Sequence, residues 1–160
     1  MRIRDVNHPL RRELPPLPWF PIRETYRVRA RWVGYDRPKS IAIADVLGDT
    51  SEHLSPGYAV FTLGGRELRL EPVGQPDGLF FIFKDLTSGD ETYPAGRFLD
   101  TPPPRDGFVD LDFNKAYSPH CAFTPYATCP LPPPQNRLAV RVEAGERYRL
   151  HGEERAKRPR

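Results

Sequence analysis

The segment Tyr58-Ala59-Val60-Phe61-Thr62-Leu63-Gly64-Gly65-Arg66-Glu67-Leu68-Arg69-Leu70 decides the fold class of this chain. Gly64 and Gly65 readily take the two positive φ values that a two-residue hairpin turn requires. Pairing outward from that turn sets Leu63 against Arg66, Phe61 against Leu68 and Ala59 against Leu70. One face is then mainly apolar, and the other carries Tyr58, Val60, Thr62, Glu67, Arg69 and Glu71. Turn and alternation specify the same register, whereas a one-residue slip would send every side chain to the wrong face.

The same logic extends to both sides. Residues 26–35 place Tyr26, Val28, Ala30 and Trp32 on one face and Arg27, Arg29 and Arg31 on the other, the period of a half-buried strand. The arginine stripe reads either as an anion-binding row or as a solvated outer face. Residues 40–46 form a second strand. Gln75-Pro76-Asp77-Gly78 is a turn signal, and the apolar run Leu79-Phe80-Phe81-Ile82-Phe83 reads as a strand buried on both faces. With residues 92–99, 108–113 and 138–142, about eight short strands result, with a short helix near 113–117. The predicted fold is all-β, a mostly antiparallel sandwich or barrel with stiff proline-rich loops.

Composition agrees. Twenty prolines in 160 residues disfavour long helices, and Pro102-Pro103-Pro104 and the segment Pro130 to Pro134 are too stiff for regular structure. The predicted organisation is a proline-rich arm over 1–22, pinned to the domain by Trp19 and Phe20, one β domain over 23–146, and a disordered basic tail over 147–160. Arg12-x-x-Pro15-x-x-Pro18 also fits a loose polyproline docking pattern. Of the net charge of +3, residues 147–160 supply +4 and residues 1–12 supply +3, which leaves −4 on the body. Basic ends on an acidic body argue against a nucleic-acid partner. No apolar run approaches the roughly 20 residues of a membrane span, and the N-terminus has no signal-peptide pattern, so a cytoplasmic protein without a membrane partner is expected.

Polar residues with chemical potential concentrate between Lys84 and Asn136. Asp85, Thr87, Ser88 and Gly89 form either a self-satisfied turn or a polar rim facing a ligand together with Tyr93. Arg97 can clamp a carboxylate or phosphate, or form a buried ion pair with Asp85 or Asp112. Asp112 and Asn114 crowd a strand end next to Tyr117, where Asn114 can cap a helical turn. Asp85 and Asp112 are also the only carboxylate pair suggested for acid–base work. Cys121 and Cys129 are two thiols, a redox pair, or a disulfide contributing about 2.5 kcal/mol; His120 beside Cys121 could activate a nucleophile. Four ligands for a structural zinc cannot be assembled locally, and no phosphate-binding glycine loop is present. The leading functional expectation is a small-molecule-binding module. Its pocket would be lined by Phe83, Tyr93, Phe113, Tyr117 and Phe123, with Arg97 taking the anionic end of the ligand and Asn114 orienting it. The alternatives are an enzyme using the thiols or the two aspartates, and a structural or interaction domain. No cofactor is indicated by these residues.

The motifs Asp85-x-Thr87-Ser88-Gly89-x-x-Thr92-Tyr93-x-x-Gly96-Arg97, Leu111-Asp112-Phe113-Asn114-x-Ala116-Tyr117 and Cys121-Ala122-Phe123-Thr124-Pro125-Tyr126-Ala127-Thr128-Cys129-Pro130-Leu131-Pro132-Pro133 resemble the signature of domain of unknown function family 1684, found in bacteria and archaea. The resemblance covers roughly residues 10–146. It implies no particular activity, because none is assigned to the family. It also implies an additional N-terminal region ahead of Arg2-Ile3-Arg4-Asp5, and a family pattern in which asparagine and proline precede the cysteine where this chain has Ser118-Pro119-His120-Cys121.

Overall fold

A computed structural model describes residues 6, 7 and 16–148. The docking pattern at Arg12 and Pro15 and the tail from residue 149 lie outside the described residues. Seven strands follow in order: β1 (Arg27–Ala44), β2 (Thr50–Leu63), β3 (Arg66–Leu70), β4 (Val73–Gln75), β5 (Gly78–Phe83), β6 (Arg97–Thr101) and β7 (Phe108–Asp112). They form two antiparallel sheets, β3-β2-β1-β7 and β4-β5-β6, stacked as an open sandwich and not a closed barrel. Among the described residues only short 3-10 turns accompany them, and no helix there is long and apolar enough to cross a membrane.

The β2–β3 hairpin has the predicted register, Leu63–Arg66, Phe61–Leu68 and Ala59–Leu70, with Gly64 at φ 59° and Gly65 at φ 73°. The run 79–83 is central. Leu79, Phe81 and Phe83 of β5 enter the main core with Ala30, Phe61, Leu70, Leu99, Leu111 and Phe113. Ile82 and Phe80 face the opposite way, into a second cluster with Ile41, Ile43, Phe98 and Cys129. A strand covered on both sides needs apolar residues at consecutive positions, which is why its sequence does not alternate.

Several elements differ from the sequence reading, among them β2, which starts at Thr50 and not at Tyr58. The segments 26–35 and 40–46 are halves of one strand, β1, whose register shifts between Gly34 and Lys39. Pro38 supplies no N–H to the ladder, so pairing is interrupted there and resumes beyond it. This bend lets the near half of β1 cover the main core and the far half, through Ile41 and Ile43, cover the second cluster. The strand expected over 92–99 starts only at Arg97, because Pro94 and the φ of 109° at Gly96 keep the preceding residues in turns. Residues 138–142 form no strand, and their place in the fold belongs to the site described below. Val73–Gln75, whose last residue the sequence assigns to a turn, is a short strand pairing with β5.

The described part of the N-terminal arm lies against the C-terminal segment. Phe20 N–H donates to Gly145 O (2.9 Å), Arg147 N–H donates to Pro18 O (2.7 Å), and the Arg147 guanidinium covers the Phe20 ring. Arg147 and Tyr148, the first residues of the predicted tail, are hydrogen-bonded to the domain, Tyr148 N–H donating to Glu91 O at 2.9 Å.

Candidate functional site

Phe83 ends β5 and the chain turns immediately. The Asp85 carboxylate organises that turn: Oδ1 accepts from the Thr87 N–H (2.8 Å), the Thr87 hydroxyl (2.7 Å) and the Val142 N–H (3.1 Å). Thr87 O in turn accepts from the N–H groups of Asp90, Glu91 and Thr92. Oδ2 of Asp85 accepts from Arg97 Nη2 at 2.9 Å, and both side chains are fully enclosed. Of the two readings of this segment, the geometry builds the self-satisfied turn.

Arg97 opens β6 opposite Phe83 and lies 5.4 Å from the centre of that ring. Besides Asp85, it donates from Nη2 to Val142 O (2.8 Å) and from Nη1 to Ala144 O. This explains why residues 138–142 form no strand. Leu138, Val140 and Val142 do point inward alternately, and Leu138 N–H reaches Lys84 O (2.7 Å), while Leu86 N–H reaches Val140 O (3.0 Å). Beyond Leu86 the neighbouring backbone turns away. The Asp85 and Arg97 side chains then take the hydrogen bonds that a partner strand would have made.

A third charged residue completes the cluster. The Phe98–Tyr117 bridge sets Arg97 opposite Ser118, and Ser118 N–H donates to Glu146 Oε2 at 3.3 Å. Glu146 is 4% exposed and Arg97 is fully buried. Burial draws the arginine pKa down, opposed first by Asp85 and then by Glu146. Burial raises the Glu146 pKa, against the pull of Ser118 and Arg97. Arg97 Nε, Ser118 Oγ and Glu146 Oε1 are all buried and have no hydrogen-bond partner among the described residues. The Ser118 side chain lies near enough to Glu146 to draw its pKa down against the effect of burial. A buried polar atom without a partner costs about 1–3 kcal/mol, so three in one interior region is unusual for a purely structural joint. Arg147 Nε is a further unpartnered atom, but its guanidinium faces outward onto Phe20 and Glu91.

Glu146 has a testable pH signature. Its folded pKa lies above the ordinary carboxylate value, so the folded chain keeps a proton that the unfolded chain has released. Its contribution is therefore fully present below the unfolded pKa and is lost as pH rises through the folded one. Glu146→Gln keeps an oxygen for the Ser118 N–H and removes this ionisation. The expected result is a flatter denaturation midpoint against pH across the acidic range, with equal or higher stability at neutral pH. A variant whose profile still parallels the parent would assign the slope to another carboxyl.

The remaining predicted site residues do not join this cluster. Asp112 lies by Arg27 (3.6 Å) and Lys115 (3.9 Å), and its Oδ1 accepts from Asn114 N–H (3.2 Å). The 3-10 turn Phe113–Lys115 is thus capped by Asp112 and not by Asn114, because the earlier residue holds the cap position. Asn114 instead pairs with the Arg23 backbone, through both N–H (3.1 Å) and O (3.1 Å). Tyr117 donates to Asp100 Oδ2 (2.6 Å), and Tyr93 donates to Cys121 O (3.1 Å). Phe83 and Phe113 are enclosed in the main core, their rings 5.5 Å apart in edge contact, while Tyr117 packs against the second cluster. The structure thus does not bring Tyr117 together with Phe83 and Phe113, which lie in a different layer. Both cysteines are free thiols, and burial pushes the Cys129 thiol up to about 11. Among the described residues no group of three or more His, Cys, Asp and Glu is placed to hold a metal. Sequence reasoning missed Ser118 and Glu146. The available signal was Glu146 falling on the inward parity of Leu138, Val140, Val142 and Ala144.

Fold and cluster together define a two-sheet antiparallel β domain whose interior is pinned by a buried aspartate–arginine–glutamate group. Residues 12–147 match the family described as Protein of unknown function (DUF1684), and the chain belongs to that family. Its fold is similar to the solution NMR structure of an uncharacterized protein from Haloarcula marismortui, with TM-score 0.69, 35% sequence identity, and coverage of 86% of this chain and 78% of that one. No curated protein matches this chain.

Proposed function

We propose that the domain is a binding module for a small, uncharged polar molecule taken into the interior beside Arg97, Ser118 and Glu146. The observation that carries this reading is the set of three buried polar atoms, Arg97 Nε, Ser118 Oγ and Glu146 Oε1, without protein partners. Together they offer a donor, a hydroxyl of either role and an acceptor. A molecule with an acceptor and a donor a few atoms apart, such as an alcohol or a primary amide, complements them. The sequence suggested an anionic ligand, but Asp85 and Glu146 already place two acidic groups at Arg97, so an additional anion gains less there than a neutral molecule. The acid–base enzyme reading has weaker support, because Asp85 faces Arg97 in the interior while Asp112 lies with Arg27 and Lys115.

Glycerol, acetamide and acetate, titrated separately into isotopically labelled full-length protein, test the proposal. Glycerol or acetamide is expected to shift the Arg97 Nε–H resonance and the Ser118 amide, and Glu146→Gln to weaken that response severalfold. A response to acetate alone would overturn the uncharged-ligand reading. If none of the three moves these resonances and Arg97 Nε–H exchanges magnetisation only with water, the cluster is a hydrated structural joint and the binding function fails.

A further inference from the structure

Cys121 and Cys129 are not part of the polar cluster, yet the fold holds them together. The Cys121 N–H donates to Cys129 Sγ at 3.2 Å. The 3-10 turn His120–Ala122 carries the first cysteine. The second is fastened to the far end of β1, where Val46 N–H donates to Cys129 O (3.1 Å) and Leu131 N–H to Ala44 O (2.7 Å). The Tyr93 hydroxyl holds the other side of the contact through Cys121 O. The two sulfurs differ in surroundings. Cys121 is half-buried, whereas Cys129 is 4% exposed and packs with Ile41, Ile43, Ile82 and Phe98. An outside reagent therefore meets Cys121 first, and Cys129 waits behind it, its thiol kept protonated chiefly by burial.

We propose that Cys121 and Cys129 are a peroxide-responsive thiol pair, in which Cys121 is oxidised first and Cys129 resolves it to an intramolecular disulfide. The Cys121 thiolate attacks one oxygen of hydrogen peroxide and breaks the O–O bond, giving a sulfenic acid and, after protonation of the leaving hydroxide, water. Cys129 Sγ then gives up its proton and attacks the Cys121 sulfur, and a second water leaves. In sum, two thiols lose two electrons and two protons while one peroxide becomes two waters. A thiol reductant restores both cysteines by exchange. The new bond would tie the Tyr93 side of the loop to the end of β1, closing the 122–128 loop that carries the exposed Tyr126.

The test is the denatured mass of full-length protein after brief treatment with a small excess of hydrogen peroxide. The monomer is expected to lose about two mass units and to regain them with a thiol reductant. Cys121→Ser, at the half-buried position, should abolish the change and slow peroxide consumption by at least about tenfold. Cys129→Ser should stop at a sulfenic acid on Cys121 that dimedone captures. Added oxygen on either cysteine without a disulfide, a disulfide joining two chains, or wild-type oxidation of Cys129 in Cys121→Ser would each overturn the proposal. The wild-type mass and Cys121→Ser decide the matter even if the buried Cys129→Ser variant does not fold.

Discussion

Replacing Arg97 with methionine is expected to lower the unfolding free energy by about 3–5 kcal/mol, the cost of breaking a buried ion pair from one side. Methionine fills much of the same space without charge, so the loss reports electrostatics and hydrogen bonding more than a void. The Asp85 carboxylate would stay enclosed without its cation, and Val142 O and Ala144 O would lose their donor. Coupling is the sharper measurement. Asp85→Asn alone leaves Arg97 buried without its partner, while the double variant Arg97→Met with Asp85→Asn removes both charges. Denaturant unfolding of the four proteins should show the double variant losing well less than the sum of the two single losses. A single-variant loss below about 1 kcal/mol would mean that solvent screens the pair, contrary to its enclosure.

Gly145→Ala should be nearly as damaging, about 2–4 kcal/mol, through strain and overpacking together. Gly145 has φ 77°, where L-residues are strained, and a Cβ there would lie 2.4 Å from Ala116 O and 2.8 Å from Phe113 O. Both obstacles are backbone atoms and cannot turn aside as a side chain could. The segment would have to lift, breaking Phe20 N–H to Gly145 O and Glu146 N–H to Ala116 O, and drawing the Glu146 carboxylate away from Ser118. A lower midpoint, with faster amide exchange at Phe20 and Glu146, is the expected result. An unchanged midpoint would mean that this crossing relaxes at little cost.

Local patterns were legible in the sequence wherever turn chemistry and alternation coincided, as at Gly64-Gly65 and in the apolar run of β5. They failed where a backbone partner came from far along the chain. Residues 138–142 have the alternation of a strand, but whether a neighbour lies beside them depends on the turn after Phe83. Asp112 and Asn114 both suit a cap, and only the three-dimensional start of the turn chooses between them. The Arg97–Asp85 pair was visible as one of two possible pairings, because a strand-end arginine and a turn aspartate near in sequence commonly meet. Its extension to Glu146 was not, since nothing local links residues 97, 118 and 146.

The bonds from Arg97 to Val142 O and Ala144 O span 45 and 47 residues. During synthesis both sheets and the Asp85–Arg97 pair therefore emerge before the carbonyls that accept from the arginine's remaining donors. Until that late segment arrives, the nascent domain must either leave Arg97 in water, with β6 loosely docked, or hold it enclosed and unsatisfied. Residues 138–146 thus dock last among the elements described, and the half-assembled sandwich that precedes their arrival is the form most exposed to chaperones and to self-association.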